Sequence, residues 1–445
     1  MNANRSLHRT IFAYVSKNIL SMIGLSCYIL ADTYFISNRL GSDGVAALNL
    51  VLPIYSIING IGLMLGMGAA TRYAILQGEG KTKEASQVFT HVLCFGAACA
   101  LLLTVIGLLF SHSIAAALGA AHSILPLAGT YLRTLMLFSS AFILNNIVLC
   151  MVRNDGQPAL AMAAMLTGSL CNIVLDYIFM FPLPWGMFGA AFATGLAPII
   201  SMAVLSIHFI RRTNQFHLVA SRPSLSYITR SAAVGAPYFL TEFSSGLVMF
   251  SFNFIILRIV GDIGVAAYGI VANLAFIVVS VFTGIAQGVQ PIISRSVGEH
   301  NDFAVKRTYL ISLVLAVGSG LLFWIVGSLF SNPIVAVFNS SGDPVLASMA
   351  AQGIILYFIA YVPMGGNIVT ASFFSAVSRP VPSFLISFLR GVLIVLPALC
   401  LLSWLLGMTG VWLTIACAEG VTACVSLIFL KKYGIFHKKK PVNIS

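Results

Sequence analysis

Gly41-Ser-Asp-Gly-Val-Ala-Ala47 is written again, 220 positions later, as Gly261-Asp-Ile-Gly-Val-Ala-Ala267. The same shift lays Gly78-Glu79 on Gly298-Glu299. Shifts of 221 to 222 pair Gly186-Met187 with Gly407-Met408, Gly189 with Gly410, and Gln157-Pro158 with Arg379-Pro380. Drifts of one or two positions are what loop insertions produce. The chain is therefore two related halves joined in tandem.

Working outward from the repeat, the sequence is continuously apolar. Hydrophobic residues make up 59% of it and charged residues 8%, with a mean hydropathy of +0.98. A soluble domain carries roughly a quarter charged residues, so this chain has too few to wet its own surface. Runs long enough to cross a bilayer, about 20 residues each, recur throughout. Approximately twelve are expected, at 11–38, 46–75, 88–110, 126–152, 159–181, 187–210, 230–258, 265–294, 308–330, 347–376, 382–404 and 410–432. They lack the two-residue alternation of a barrel strand, so they read as helices. The fold class is thus an all-α polytopic membrane protein.

Charge placement sets an orientation. The net charge is +12. Arg5, Arg9, Lys17, Arg72, Lys81, Lys83, Arg153, Arg211, Arg212, Arg222, Arg230, Arg295, Lys306, Arg307, Arg379, Lys431, Lys432 and Lys438 to Lys440 all belong to alternate ends of the spans. The opposite loops hold only Arg39 and Arg258, and 111–125, 181–186, 331–346 and 405–409 hold neither Lys nor Arg. This is the positive-inside pattern, with both termini cytoplasmic. It accounts for the basic balance without nucleic acid.

The longest basic polar segment, 211–229, divides the chain where the repeat does. The expected organisation is a six-helix lobe at 1–210, a cytoplasmic linker at 211–229, a second six-helix lobe at 230–432 and a basic cytoplasmic tail at 433–445. Six spans per half is an even number, so both halves share one orientation and the repeat is parallel. Internal repeats of this kind are how many secondary transporters frame a site between two halves.

Several chemistries are excluded. The eight cysteines, at 27, 94, 99, 150, 171, 400, 417 and 424, lie in apolar runs without metal-ligand spacing. No GxxxxGK loop, nucleophile elbow or HExxH is present, so neither ATP-driven work nor an enzyme is indicated, and no cofactor is expected. A multispan membrane enzyme would need catalytic His, Asp or Ser gathered at one face, whereas the eight histidines are scattered.

Four of the twelve acidic residues fall deep within spans: Asp32, Asp176, Glu242 and Glu419. A carboxylate at the bilayer centre costs on the order of 2.5–3.5 kcal/mol, so such groups normally mark an ion or substrate route. Asn172 precedes Asp176 by four residues and shares its helix face. With Asp32 from another helix, the set has the oxygen groups to hold Na+ or to share a proton. Glu242 suits attraction of a cation or a second protonation. Glu419 reads as a structural partner of Arg390 or a snorkelling group; Arg133 and Arg390, a third of the way into their spans, read as snorkelling. Tyr34, Asn145, Asn253, Gln287 and Gln290 are expected to line a wet path, and Met249 an adaptable apolar wall, since methionine repacks around different shapes.

These segments resemble a known family. Tyr28-Ile-Leu-Ala-Asp32-Thr-Tyr-Phe-Ile-Ser-Asn-Arg-Leu-Gly41 looks like the first-helix motif of multidrug and toxic compound extrusion (MATE) transporters. Asn172-Ile-Val-Leu-Asp176-Tyr-Ile-Phe, with Gly186-Met-Phe-Gly-Ala-Ala-Phe-Ala-Thr194, is similar to helices five and six. Gly264-Val-Ala-Ala-Tyr-Gly269 and Gly284-Ile-Ala-Gln-Gly-Val-Gln-Pro291 are also family-like. The resemblance covers essentially the whole chain and favours the DinF/MepA-like bacterial branch. It implies two six-helix lobes around a cavity, a monomer in the bacterial cytoplasmic membrane among lipids, and a Na+- or H+-coupled antiporter exporting small organic cations. Carried over residue by residue, it implies a cation site at Asp32, Asn172, Asp176 and Thr194, with Glu242 at an acidic position of the seventh helix. One departure is Lys17, which stands where members often have an early proline in helix one, its counterpart in the second half being Pro237. The alternative from the same superfamily is a flippase for lipid-linked precursors, which requires several basic residues around the cavity.

Overall fold

The computed structural model describes residues 2–120, 123–222, 224–339 and 342–433. The tail expected at 433–445 lies outside these residues from 434 onward, as do Lys438 to Lys440. Among the described residues the chain is helical, with no strand.

The first helical stretch, α1 (Asn2–Gly78), is 77 residues long and breaks at Gly41, whose φ of 67° and ψ of −155° lie outside the helical region. Unbroken it would run about 115 Å at 1.5 Å per residue, far beyond a bilayer core of about 30 Å. The repeat explains the break. Gly261, its counterpart, has φ 81° and ψ −159° and precedes α8, a conformation open to glycine and costly for other residues. Gly186 and Gly407, also paired by the repeat, share φ values of 57° and 58°. Both halves therefore turn the chain in the same way at equivalent positions.

The remaining elements are α2 (Thr82–Ala117), α3 (Leu125–Leu137), α4 (Ser139–Asn154), α5 (Pro158–Met180), α6 (Gly186–Ile210), α7 (Leu225–Ile259), α8 (Asp262–Gly298), α9 (Asp302–Leu329), α10 (Ser331–Phe338), α11 (Pro344–Tyr357), α12 (Tyr361–Ala376), α13 (Pro380–Phe388), α14 (Val395–Leu406) and α15 (Met408–Lys432). Among the described residues, ten helices are long and apolar enough to cross a membrane, and the bent pair α3–α4 makes eleven. Counting the two arms of α1 separately gives the twelve crossings expected.

Three crossings are interrupted. α3 and α4 meet at 47°, α11 and α12 are joined by a 3₁₀ turn at Phe358–Ala360, and α13 and α14 by a π turn at Leu389–Leu393. Several boundaries differ from the sequence reading: α2 runs to Ala117, into the loop expected at 111–125, α7 begins at Leu225, inside the stretch read as linker, α9 begins at Asp302, and α10 occupies part of the loop expected at 331–346.

Two apolar cores lie side by side. One gathers buried residues from Ile36 to Phe216; the other runs from Phe252 to Leu430 and also takes in Ile11 and Val15. The start of each half thus packs on the other half. A Cβ placed on Gly288 of α8 would stand 2.9 Å from Val15 Cα, and one on Gly68 of α1 would stand 1.9 Å from the Ser231 carbonyl oxygen on α7. Small residues permit this approach of backbones, which is how membrane helices associate without a hydrophobic drive between them.

The segment after α6 is pinned by side chains. Asp155 accepts hydrogen bonds from Tyr73, from His208 Nε2 (2.8 Å) and from the Gln215 backbone N–H (2.8 Å). Phe216 is fully buried against Tyr73, Phe89 and Phe209.

Candidate functional site

All four residues expected at the cation site come from helices of the first half. Asn172 and Asp176 sit one turn apart on α5 and Thr194 lies on α6, all buried; Asp32, on the 2–40 arm of α1, is 6% exposed. With the Asn172 amide oriented to suit its neighbours, its nitrogen donates to Asp176 Oδ2 (3.2 Å) and its oxygen accepts from the Thr194 N–H (3.2 Å). The Thr194 hydroxyl donates to the Ala190 carbonyl at 3.0 Å. Asp32 Oδ1 and Asp176 Oδ1 are buried without a partner. Asp176 lies within the field of Asp32. Two carboxylates with one unspent oxygen each, beside an amide and a hydroxyl, form a donor set for a small hard cation or a proton.

Tyr131, on α3, is a residue that sequence reading missed. Its phenol lies within reach of Thr194 and within the field of both carboxylates, and it is 4% exposed. Its span is marked in the sequence by Arg133 and Asn145, but nothing in the sequence marks Tyr131 itself.

Two chambers meet at this level. The upper one, about 260 Å³, is lined by Asp32, Asn49, Tyr131, Met249 and Asn273 among others. The lower, about 130 Å³, is lined by Asn59, Phe142, Asn145, Asn146, Arg153 and Gln287 among others. Tyr28, Tyr55, Thr194 and Glu242 face both. The Tyr28 and Tyr55 hydroxyls are 3.1 Å apart and stand between the chambers.

Glu242, on α7, joins the two halves. Asn146 Nδ2 donates to Asn59 Oδ1 at 2.8 Å, and Asn59 Nδ2 donates to Glu242 Oε2 at 3.1 Å. The close approach at Gly60, where a Cβ would stand 2.9 Å from Phe239, brings α7 near enough for that bond.

The other sequence candidates scatter. Asn145 lines the lower chamber and Met249 the upper. Tyr34 is 62% exposed and Asn253 half-buried on α7, and neither is among the lining residues. Gln287 lines the lower chamber, and with Gln290, which lines neither chamber, it belongs to a buried polar layer at that chamber's floor. Arg153 Nη1 donates to Asn18 Oδ1 and to Gln287 Oε1, both at 2.8 Å. Asn154 donates to Gln290 Oε1 at 3.1 Å, and Gln290 to Thr71 at 2.9 Å. Arg153, which reads as a loop charge, is 1% exposed.

Glu419 and Arg390 form a separate pair in the second half. Arg390 donates to Glu419 Oε1 from Nε (3.1 Å) and Nη2 (2.7 Å), and Asn367 donates to Oε2 at 2.7 Å. Arg390 therefore does not snorkel: a carboxylate on the neighbouring helix gives its charge a nearer partner than the interface. Arg133 is exposed on α3.

A sequence profile of the MatE family matches residues 18–178 and 237–400, one stretch in each half. The chain belongs to the MatE family. Members are transporters rather than enzymes. Among relatives of this MatE chain is "Multidrug export protein MepA" of Staphylococcus aureus (strain MRSA252), 26% identical over 413 residues, covering 91% of this chain and 89% of the relative. The MepA of Staphylococcus saprophyticus is 23% identical over 415 residues, 93% of this chain and 90% of the relative. Among solved structures, an outward-facing multidrug resistance MATE transporter of the MOP superfamily superposes with a TM-score of 0.89 at 24% identity, covering 95% of each chain. This likeness bears out the all-helical MATE-like fold.

Proposed function

We propose that this MatE transporter is a cation-coupled antiporter that exports amphipathic, mostly cationic organic compounds from the bacterial cytoplasm by alternating access. The observation that carries the reading is the pair of buried, unpartnered oxygens Asp32 Oδ1 and Asp176 Oδ1, the first of them on a residue that lines the upper chamber. Na+ or H+ taken up here neutralises the carboxylates and weakens their hold on a bound organic cation. The names of the MepA relatives support drugs as cargo. The positive-inside pattern supports cytoplasmic termini and a cytoplasmic position for the Gly78 and Gly298 end, which reads the close contact there as an inward closure. The membrane potential supplies about 2.3 kcal/mol per charge per 100 mV, sufficient for modest accumulation. A flippase for lipid-linked precursors is less well supported, because Arg153 is the one basic side chain among the residues lining the chambers.

The test is transport of a fluorescent organic cation by the purified protein in liposomes, with Na+ and H+ gradients imposed separately. Transport driven by one of them and abolished by its collapse is expected. Equal uptake with neither gradient present overturns antiport.

A further inference from the structure

We propose that a cavity in the second half, beside the Gly298 end of α8, is the seat of this chain's own tail, with the Phe436 ring inside it. Nothing in this depends on what the chain exports.

The first half shows how such a seat is filled. Phe216, in the segment after α6, is fully buried, its ring centroid 5.7 Å from that of Tyr73, 4.6 Å from Phe89 and 5.5 Å from Phe209. Those rings belong to the end of α1, the first part of α2 and the end of α6. A shift of 220 lays Arg211-Arg-Thr-Asn-Gln-Phe216-His217 on Lys431-Lys-Tyr-Gly-Ile-Phe436-His437. Two basic residues, a gap of three and Phe-His recur in the same order. The tail thus carries the ring that the linker buries.

The matching place in the second half holds a cavity of about 340 Å³. Val297 of α8, Val305 of α9, and Phe373, Phe374 and Val377 at the end of α12 give it an apolar wall. Phe373 lies 4.5 Å from Tyr309, and Phe374 lies 6.4 Å from Phe429. Tyr309 and Phe429 are the counterparts, 220 positions on, of Phe89 and Phe209. Two of the three rings around Phe216 therefore recur behind the cavity wall. Tyr433 lines the cavity too, and Phe436 follows it within about 10 Å of extended chain. Lys306 and Arg379 also face the cavity, and such cations favour an aromatic face. The polar clasp of the first half is missing, however. There the backbone N–H groups of Gln215, His217 and Val219 donate to Asp155 Oδ2 (2.8 Å), Ser86 Oγ (3.4 Å) and Thr90 Oγ1 (3.0 Å). The repeat puts Val377, Lys306 and Leu310 at those three positions, and none of these side chains accepts a hydrogen bond. The tail is held by its apolar ring, so it can leave where the linker stays. His300 lines both this cavity and the groove shared by Gly78 and Gly298, which seats the tail beside the contact between the halves.

The experiment reads access to the cavity in the full chain, in a background without the eight native cysteines. Val377→Cys places a thiol on the cavity wall, and its labelling by a membrane-impermeant maleimide is timed in lipid nanodiscs. Adding Phe436→Ala should speed labelling by about fivefold, since burial of one ring favours the seated tail by roughly that factor or more. Thr82→Cys, exposed and outside the cavity, is the control whose rate should not change. Nanodiscs of phosphatidylcholine alone and with phosphatidylglycerol separate the tail from a lipid headgroup as occupant. Dependence on Phe436 in both compositions supports the seat. A rate that is the same with and without Phe436 overturns it, and one that follows phosphatidylglycerol instead gives the cavity to a headgroup. If Val377→Cys does not fold, benzoylphenylalanine placed at Phe436 decides. Photo-adducts on residues 297–305 or 373–377 support the seat, and adducts elsewhere only, or none, overturn it.

Discussion

Gly78 and Gly298, 220 positions apart in the chain, touch each other. A Cβ on Gly298 would stand 2.9 Å from Gly78 Cα and 2.0 Å from the Ile75 carbonyl oxygen, and one on Gly78 would stand 2.5 Å from the Arg295 carbonyl oxygen. Residues related by the repeat meet their own counterparts only at the axis relating the halves. The second crossing of each half therefore ends at that axis, and the absence of side chains there lets the two backbones close.

Replacing Gly298 with Val should wedge this contact. Overpacking costs about 1–3 kcal/mol, which shifts a two-state equilibrium by roughly five- to 150-fold. The measurement is labelling of a single cysteine introduced at Gln77, in a background without the eight native cysteines, by a membrane-impermeant thiol reagent. Faster labelling than in the parent is expected. Gly269→Ala is the control, because nothing lies within 4 Å of its added methyl.

Asp32→Asn and Asp176→Asn should each reduce gradient-driven efflux by tenfold or more, on the order of a lost charged ligand. If both carboxylates serve one bound ion, the double variant will be no worse than either single one, because their effects are not additive. Initial rates in liposomes decide. Full-rate pumping by correctly folded single variants would falsify the coupling site.

The Arg390–Glu419 pair is buried, with side-chain exposures of 13% and 3%. Arg390→Met alone strands the Glu419 carboxylate and should destabilise by about 3–5 kcal/mol. Adding Glu419→Leu should recover most of that loss. Thermal unfolding followed through tryptophan fluorescence reads the cycle. A double variant as unstable as the single one would show that the pair's packing, not its charge, matters.

His300 and Ser378 stand, one repeat later, where the first half has Gly80 and Gly156. All four are left-handed, with φ of 55°, 57°, 78° and 86°. A side chain costs roughly 1–2 kcal/mol in that region. His300→Gly and Ser378→Gly should each raise the melting temperature by about 1–2 °C. A fall would mean that the native side chains contribute more than the strain they introduce.

Hydropathy and spacing alone determined a great deal about this protein: twelve crossings, the duplication, the turn glycines at 41, 186, 261 and 407, and the acids Asp32, Asp176 and Glu242 placed where charge is costly. Each of these follows from local composition or from a period along the chain, and a bilayer makes both unusually readable. Only the tertiary structure decided which helix faces meet. Arg153 has the sequence context of a loop charge, yet it is buried beneath a chamber, where Asn18 of α1 and Gln287 of α8 accept its hydrogen bonds. Tyr131 comes within the field of the carboxylates although nothing in its own sequence position marks it, and Glu242 finds Asn59 only because Gly60 lets α7 approach. Partner choice depends on the fit of small residues between helices distant in sequence, and hydropathy along one helix does not encode its neighbour.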